Sequence, residues 1–376
     1  MKWKIPLFKM YWDQSDIDAV SKVIRRGSYW AAGPEIQQFE NKIAEFVGTK
    51  YALTFNSGTS ALHSLLIAMD IKEKDEIIVP SFTFIATGNA PLFVNAKPVF
   101  ADIEDKTYGL DAEDVKNKIT NKTKAIMPIH FAGCACNNIK QLKELAEDHN
   151  LLFIEDAAQS LGAKFGSKNV GTFGDAAMFS LCQDKMITTG EGGIIVTDSK
   201  DYFEKLKLIR SHGRAESKDY FSSSELMNYV TLGYNFRMPT MIAALGLSQI
   251  KKVNKTIKMR RQNAEYYISK LQNRKELILP KVSNQFFHVY QKFTMRLDNR
   301  DALIKHLAKN GVFSKAYFGL PVHLTRFYRD EFGYKKGDLP VTEKLSEKVL
   351  SLPMFPSLKK QEIDYITNNI IEFLKG

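Results

Sequence analysis

The sequence contains few cysteines and no long apolar run. Three cysteines occur in 376 residues, and two of them, Cys134 and Cys136, are separated by one residue. This number and spacing exclude a zinc ribbon or a disulfide framework, so we expect reduced thiols and no metal. No stretch approaches the roughly 18 apolar residues that cross a membrane, and Lys4, Pro6 and Lys9 interrupt any signal peptide. These absences predict a soluble, cytoplasmic protein without a membrane partner.

The sequence also lacks a segregated basic region and the common nucleotide-binding signatures. It has neither a P-loop with its lysine nor a complete G-x-G-x-x-G. The formal net charge is +11, but lysines alternate with acids, and the densest basic run, 251–261, has helical spacing. We interpret that run as the solvated face of a long helix and expect no nucleic-acid partner. A basic surface would still attract small anionic substrates.

Short apolar runs alternate with helical patterns in the first part of the chain. The runs are 51–55, 76–80, 98–103, 124–130, 151–156, 176–181 and 193–198. Strands that are apolar on both faces and separated by helices predict an α/β fold with a mostly parallel central sheet flanked by helices. After Pro239, a long helical pattern leads into a region that we interpret as a smaller C-terminal α+β domain. We predict domains at residues 1–255 and 256–376.

The first candidate for chemistry follows the first predicted strand. Asn56-Ser-Gly-Thr-Ser-Ala-Leu62 joins a strand to a helix through small polar residues. The free N–H groups and dipole of a helix N-terminus bind phosphate, and Gly58 allows the backbone to approach a ligand closely. Thr59 and Ser60 add hydroxyl donors. An ordinary helix cap explains the same residues equally well.

Two acids end the most apolar strand. Because successive strand residues face opposite sides, Glu155 and Asp156 cannot both point into one site, and we expect one of them to be structural. A buried carboxylate requires a cationic or hydrogen-bonding partner. A protonated pyridine nitrogen would be such a partner, and Gln159 could bond a neighbouring ring hydroxyl.

Lys185 follows a further strand and precedes the glycine-rich run 188–193 (TTGEGG). The glycines allow the chain to turn back tightly, which would place Lys185 at the same sheet edge as Asp156. A lysine beside a cationic ring is a nucleophile able to form a Schiff base. A loop lysine alone is usually a surface residue, but the upstream phosphate turn and strand-end Asp favour the catalytic reading.

Together these motifs are similar to the pyridoxal-phosphate-dependent sugar aminotransferases of the DegT/DnrJ/EryC1/StrS group, which have the aspartate aminotransferase-like fold type I. The resemblance runs almost from end to end of the chain. Its blocks are 27–34 (GSYWAAGP), 56–62 (NSGTSAL), 80–87 (PSFTFIAT), 155–159 (EDAAQ), Ser180 with Lys185, 188–193, 233–238 (GYNFRM), 320–324 (LPVHL) and 349–358 (VLSLPMFPSL).

The resemblance implies a role for each matching residue. Lys185 would hold pyridoxal phosphate as a Schiff base and then move a proton as general acid and base, with pyridoxamine phosphate as the intermediate form. Asp156 would pair with the pyridinium nitrogen. Gln159 would contact the ring hydroxyl, and Phe84 would lie against the ring.

The phosphate site implied by the resemblance involves two subunits. Gly58, Thr59 and Ser180 would hold the phosphate, and Asn235 would reach in from a neighbouring subunit. The functional unit would then be a homodimer with shared active sites. Taken alone, Phe84 would pass as a core residue and Asn235 as a loop or cap residue.

Substrate contacts are harder to assign. Tyr317 and His323 are candidates for the sugar-nucleotide site, although a structural role is the simpler explanation of a histidine such as His323 taken alone. Trp30 would border the substrate or fill the core. We expect His130 to lie near the cofactor in a structural role.

The implied function is transfer of an amino group from glutamate to a keto carbon of a nucleotide-linked keto-deoxysugar, for surface glycan or glycoside biosynthesis. Alternatives are a keto-cyclitol aminotransferase, a sugar dehydratase using the same cofactor, and a non-catalytic regulatory or binding homologue. Lys185 argues against the dehydratases, which carry histidine at that position. One departure is residues 181–184 (LCQD), where many members have an aromatic residue followed by histidine, so the sugar subgroup stays open.

Overall fold

The elements follow the alternation seen in the sequence. The computed structural model describes residues 3–215 and 227–375. Its helices are α1 (Gln14–Arg26), α2 (Pro34–Val47), α3 (Gly58–Ala68), α4 (Ile85–Leu92), α5 (Ala112–Lys118), α6 (Ile139–Asp148), α7 (Lys200–Arg210), α8 (Thr240–Ile250), α9 (Val253–Leu271), α10 (Arg300–Lys309), α11 (Arg326–Phe332), α12 (Pro340–Lys348) and α13 (Lys360–Phe373). Within the two described ranges, no helix is long and apolar enough to span a membrane.

The strands correspond to the predicted runs, with several short additions. They are β1 (Tyr51–Phe55), β2 (Glu76–Pro80), β3 (Lys97–Ala101), β4 (Thr123–Ile126), β5 (Leu152–Asp156), β6 (Lys164–Phe165), β7 (Lys168–Asn169), β8 (Ala176–Ser180), β9 (Gly193–Thr197), β10 (Arg214–Ala215), β11 (Asn228–Tyr229), β12 (Phe286–Phe287), β13 (Phe293–Arg296) and β14 (Val349–Leu352).

The central sheet has seven strands in the order β1-β9-β8-β5-β4-β2-β3. The pairs from β8 through β5, β4 and β2 to β3 are parallel. Strand β9 runs antiparallel to both of its neighbours, β1 and β8. The sheet is therefore mostly parallel, as predicted, and most of its strands end at one edge.

Both faces of this sheet are covered, which explains the continuous apolar runs. In β2, Ile78 packs into one cluster with Phe39 of α2, while Ile77 and Val79 pack into another cluster with Leu65 of α3. Fully burying each such side chain contributes about 1.5–3 kcal/mol. Helices on both faces keep the strand ends fixed, so the residues that follow them are held in place.

The C-terminal region has its own core, and a residue from near the N-terminus packs into it. Tyr267 of α9 and Phe293 of β13 pack there with Ile5 from near the N-terminus. The predicted boundary at 255/256 falls inside α9, so that division stays a prediction. The helical pattern after Pro239 forms two helices, α8 and α9, rather than one. Within the basic run, Arg260 is buried, which corrects the expectation of a wholly solvated face.

Candidate active site

A cavity of about 460 Å³ lies at the carboxyl edge of the sheet. Its lining includes Asp156 at the end of β5, Ser180 at the end of β8, and Lys185 in the following loop. Ligands of open α/β folds bind at this edge because the chain connections there leave a crevice. The predicted site residues that line this cavity are Gly58, Thr59, Phe84, Asp156, Gln159, Ser180, Lys185 and Tyr317.

The N-terminus of α3 forms one wall of the cavity. The Ser60 N–H donates to Ser57 Oγ at 3.0 Å, and the Ser57 N–H donates to Ser60 Oγ at 3.2 Å, which makes a capping box. The first N–H groups of any helix have no intrahelical acceptor and attract an anion. A Cβ at Gly58 would lie 3.2 Å from Met178 Sδ. The turn is thus both a helix cap and a suitable phosphate cradle.

Glu155 points away from the cavity and holds a loop. Its carboxylate accepts hydrogen bonds from the N–H groups of Gly171, Phe173 and Gly174 at 2.8, 2.6 and 2.9 Å. His130 Nε2 lies 2.9 Å from the same carboxylate. Burial opposes ionisation, but the His130 contact and the N–H donors hold the pKa of Glu155 below its usual value. This confirms that one acid of the pair is structural.

Asp156 faces the cavity with few partners. Its Oδ2 accepts from Thr87 Oγ1 at 2.6 Å, and its Oδ1 accepts from the Ala158 N–H at 3.1 Å. Burial raises the pKa of Asp156, and the Thr87 hydrogen bond only partly opposes this. A buried carboxylate that its surroundings do not fully stabilise fits a cationic ring nitrogen.

The loop after β8 carries the amine of Lys185 into the same cavity. The Leu181 N–H donates to the Gly192 carbonyl at 2.9 Å, so the chain turns back as the glycines predicted. Gly190 makes that turn with φ +84°. Lys185 Nζ lies 3.0 Å from Asp184 Oδ1. The lysine proposed as nucleophile, the strand-end acid Asp156 and the N-terminus of α3 thus line one cavity.

Two further predicted residues contribute to the cavity walls. The Ala132 N–H donates to Gln159 Oε1 at 2.9 Å, which fixes the amide. Phe84, just before α4, keeps a side chain that is 62% exposed. An aromatic ring this open beside a cavity is free to stack on a planar ligand.

The remaining predicted residues lie outside this cavity in the single chain. Trp30 Nε1 donates to the Val23 carbonyl at 3.1 Å, and its side chain is half-exposed. His323 is buried, with Nδ1 2.6 Å from Ser81 Oγ and Nε2 3.2 Å from Glu343. The geometry of His323 agrees with the structural reading. Contacts of His323 and Trp30 with the substrate stay predictions.

Asn235 also lies away from the cavity lining. Its carbonyl oxygen accepts from Asn56 Nδ2 at 3.5 Å. Asn56 directly precedes Ser57, Gly58 and Thr59, which line the cavity and form the candidate phosphate turn, so Asn235 is near the cavity edge. The predicted reach into a neighbouring subunit stays a prediction.

Sequence reasoning missed Asp184 and Lys292 as members of the site. Asp184 Oδ2 lies 3.5 Å from Lys292 Nζ, and the cavity lining includes both residues. Burial opposes ionisation of Asp184, yet the charges of Lys292 and Lys185 lower its pKa to about 2. Asp184 lies in the run that departs from the family pattern, which was a usable signal. Lys292 lies in a strand-like run without any such signal.

Comparisons with known proteins place the whole chain in one family. Residues 11–371 match the model of the DegT/DnrJ/EryC1/StrS aminotransferase family. The GDP-perosamine synthase of Vibrio cholerae is 36% identical over 371 residues, covering 97% of this chain and 98% of that protein. The UDP-N-acetyl-3-dehydro-alpha-D-glucosamine 3-aminotransferase of Acidithiobacillus ferrooxidans is 34% identical over 361 residues, 96% of this chain and 94% of that protein.

A solved structure shows the same architecture. The S. venezuelae protein DesV, in complex with a ketimine intermediate, is 30% identical and has a TM-score of 0.91 over 100% of both chains. This similarity confirms the fold-type-I prediction. With the family match and the named relatives, it also confirms the predicted cofactor and enzyme class. The chain belongs to the DegT/DnrJ/EryC1/StrS aminotransferase family and is a pyridoxal-phosphate-dependent sugar aminotransferase.

Proposed function

We propose that this enzyme transfers an amino group from glutamate to a keto carbon of a nucleotide-linked keto-deoxysugar, for surface glycan or glycoside biosynthesis. The carrying observation is the single cavity that joins Lys185, Asp156 and the N-terminus of α3. Two relatives support the substrate class, because their names specify a GDP-linked and a UDP-linked amino sugar. A cytoplasmic location is part of the same proposal.

Each residue of the proposed site would have a separate role in amine transfer. When bound, pyridoxal phosphate supplies an electron sink for the charge that develops on the amino-bearing carbon. The first turn of α3 and Ser180 would hold the phosphate, and Asp156 would pair with the protonated ring nitrogen. Lys185 would anchor the cofactor and then carry the proton to and from the reacting carbon as general base and acid. Gln159 and Phe84 would orient the ring.

The lining of the cavity also includes positive charge that is suited to the diphosphate of a nucleotide sugar. Lys315 is exposed and lies 4.9 Å from the centroid of the Tyr317 ring, and both residues line the cavity. An exposed ammonium group that lines the cavity attracts anions such as phosphate groups. This supports Tyr317 as a substrate contact.

We further propose a homodimer with shared active sites. Apolar side chains at Met227, Tyr229, Val230 and Leu232 are between 53% and 77% exposed. They lie on the segment that leads to Asn235. A patch of this kind is suited to a second copy of the chain, which would complete the cofactor site with Asn235.

The first experiment is an absorbance spectrum of the protein with pyridoxal phosphate, before and after addition of glutamate. We expect a long-wavelength band that glutamate converts to the shorter-wavelength band of the amine form. Lys185→Ala should bind the cofactor without the covalent band. In the wild-type protein treated with glutamate, GDP- or UDP-linked keto-deoxysugars should restore the long-wavelength band.

Other outcomes would contradict parts of the proposal. A covalent band that glutamate leaves unchanged would refute glutamate as donor. If only keto-cyclitols restored the long-wavelength band, the proposed substrate class would be refuted. If the sugar lost a hydroxyl group and gained no amine, the proposed reaction would be refuted. No band at all, in a protein shown to be folded by circular dichroism, would favour the regulatory or binding alternative.

A further inference from the structure

One carboxylate in the cavity lies between two lysine amines. Asp184 Oδ1 is 3.0 Å from Lys185 Nζ, and Asp184 Oδ2 is 3.5 Å from Lys292 Nζ. Gln291 Nε2 donates to the Asp184 carbonyl at 2.8 Å, which fixes the backbone of the aspartate. Each oxygen of the carboxylate therefore faces a different lysine.

The charges of this group do not balance when both amines are protonated. Two ammonium groups and one carboxylate leave a net positive charge in a largely buried place, and the buried guanidinium of Arg260 adds to it. Arg260 Nη1 donates to carbonyl groups and not to Asp184. Burial and repulsion from the Lys185 cation favour the loss of a proton from Lys292.

The two lysines differ in how firmly they are held. Lys292 Nζ donates to Gln291 Oε1 at 2.7 Å and lies 4.6 Å from the centroid of the Tyr317 ring. Lys185 has to leave Asp184 when its amine reacts. If Lys185 were the only partner, Asp184 would then be a buried, unpaired carboxylate, which is unfavourable.

We propose that Lys292 is a positioning residue for Lys185: it shares the carboxylate of Asp184 with Lys185 and holds that carboxylate whenever the Lys185 amine is neutral or covalently engaged. Asp184 then keeps a cationic partner at every stage, and the loop that carries Lys185 stays in place. This inference goes beyond the proposed function, because it applies to amine transfer whichever sugar is the substrate.

The surroundings of Lys292 make its proton exchangeable near neutral pH. Lys185 and Asp184 face it from the loop after β8, Arg260 faces it from α9, and Tyr317, with Lys315 on the same ring, faces it from the segment before α11. Burial and the charge of Lys185 lower the pKa of Lys292 to about 7. Loss of the Lys185 cation therefore raises the proton affinity of Lys292 and strengthens its hold on Asp184.

The direct test is competitive labelling of the cofactor-free protein, in which the Lys185 amine is not bound to pyridoxal phosphate, with trace acetic anhydride from about pH 5 to 10. Mass spectrometry of the Lys292 peptide gives the pH midpoint at which this amine becomes reactive. We expect a rise of at least about one pH unit in Lys185→Met, because a neighbouring cation is lost, and a fall in Asp184→Asn, because the attracting carboxylate is lost. Labelling of the exposed Lys42 in each sample controls for the reagent.

The functional test is the pH profile of the absorbance change that glutamate produces in the protein loaded with pyridoxal phosphate. In the loaded protein the cofactor engages the Lys185 amine, so we expect the pH profile to have a limb near the higher Lys292 midpoint measured in Lys185→Met. This limb should be lost in Lys292→Met. Lys292→Arg should lose this limb too, because a guanidinium does not titrate in this range. If Lys292 only supported the fold, the Lys292→Arg variant would instead keep the pH profile of the wild-type protein.

The proposal would be overturned by a Lys292 midpoint that neither Lys185→Met nor Asp184→Asn changes. It would equally be overturned if Lys292 failed to label at any pH, or if the limb survived in Lys292→Met. The labelling test needs neither glutamate nor a sugar. Failure of the substrate proposal would therefore leave the Lys292 result interpretable.

Discussion

At the scale of single residues, Glu155 and Asp156 show how strand alternation separates structural and chemical roles. Glu155 receives three backbone N–H donors and a histidine contact, whereas Asp156 receives one N–H and one hydroxyl. The first carboxylate is stabilised by the protein alone. The second would gain a cationic partner from the cofactor in the proposed site. The two residues form a matched pair for mutagenesis.

Asp156→Asn should retain the fold and lose catalysis. An amide cannot stabilise a protonated ring nitrogen, so the rate of the glutamate-driven absorbance change should fall by about 10²-fold or more. Burial raises the pKa of Asp156, so its ionised form costs stability in the cofactor-free protein at pH values above that pKa. We therefore expect urea unfolding at pH 7 to show the variant at least as stable as wild type. A variant that unfolds more easily but reacts at the normal rate would contradict this assignment.

Glu155→Gln should show the opposite result. Loss of a buried carboxylate that satisfies His130 and several N–H donors should lower the unfolding free energy by about 3–5 kcal/mol at pH 7. The folded-state pKa of Glu155 is below its ordinary value, so its stabilisation is present above about pH 4.5 and disappears as the pH falls through the folded-state pKa. The difference from wild type should narrow in unfolding experiments at lower pH. A constant difference would show that the charge does not matter.

At the scale of elements, β9 holds the phosphate turn in place. Gly193 begins β9 and pairs with Phe55 of β1 on one side and with Ser180 of β8 on the other. A Cβ at Gly193 would overlap the backbone of Ser57 and Gly58. The position therefore admits only glycine if the N-terminus of α3 is to stay beside Ser180.

Gly193→Ala should weaken cofactor binding because it displaces the first turn of α3. We expect the dissociation constant for pyridoxal phosphate, measured by fluorescence titration, to rise about tenfold or more, equivalent to about 1.4 kcal/mol. Gly333→Ala is the control, since Gly333 has φ +72° but nothing within 4 Å of an added Cβ. It should lower stability by about 1 kcal/mol without changing affinity. Equal affinities for both variants would refute the role given to Gly193.

At the scale of the whole molecule, the homodimer proposal predicts complementation between two inactive variants. Lys185→Ala removes the anchor, and Asn235→Ala removes the residue expected from the partner subunit. In mixed dimers, one of the two shared sites would carry both defects and the other neither. Random reassociation should therefore restore about a quarter of wild-type activity. Analytical ultracentrifugation gives the assembly state, and no recovery from a mixture of dimers would place Asn235 in its own subunit's site.

The family-level identification rested on residues close together in sequence. The phosphate turn after β1, the acid at the end of β5 and the lysine after β8 each have a local pattern with a physical reason. The apolar runs predicted the strands because a sheet covered on both faces buries every residue. The orientation of β9, antiparallel to both neighbours, was not predictable because its run is as apolar as those of the parallel strands.

The sequence by itself determined the strands and the parallel character of most of the sheet, and it predicted Lys185 and one acid of the pair Glu155 and Asp156 as residues for cofactor chemistry. Only the tertiary structure decided that Asp156 rather than Glu155 faces the cavity, that His323 is buried beside Ser81, and that Lys292 meets Asp184 across 108 positions of sequence. The spacing of apolar residues and the residue types of a motif are properties of short segments, so they determine local structure. Contacts between distant segments depend on strand order and on the packing of the C-terminal region, which no local pattern encodes.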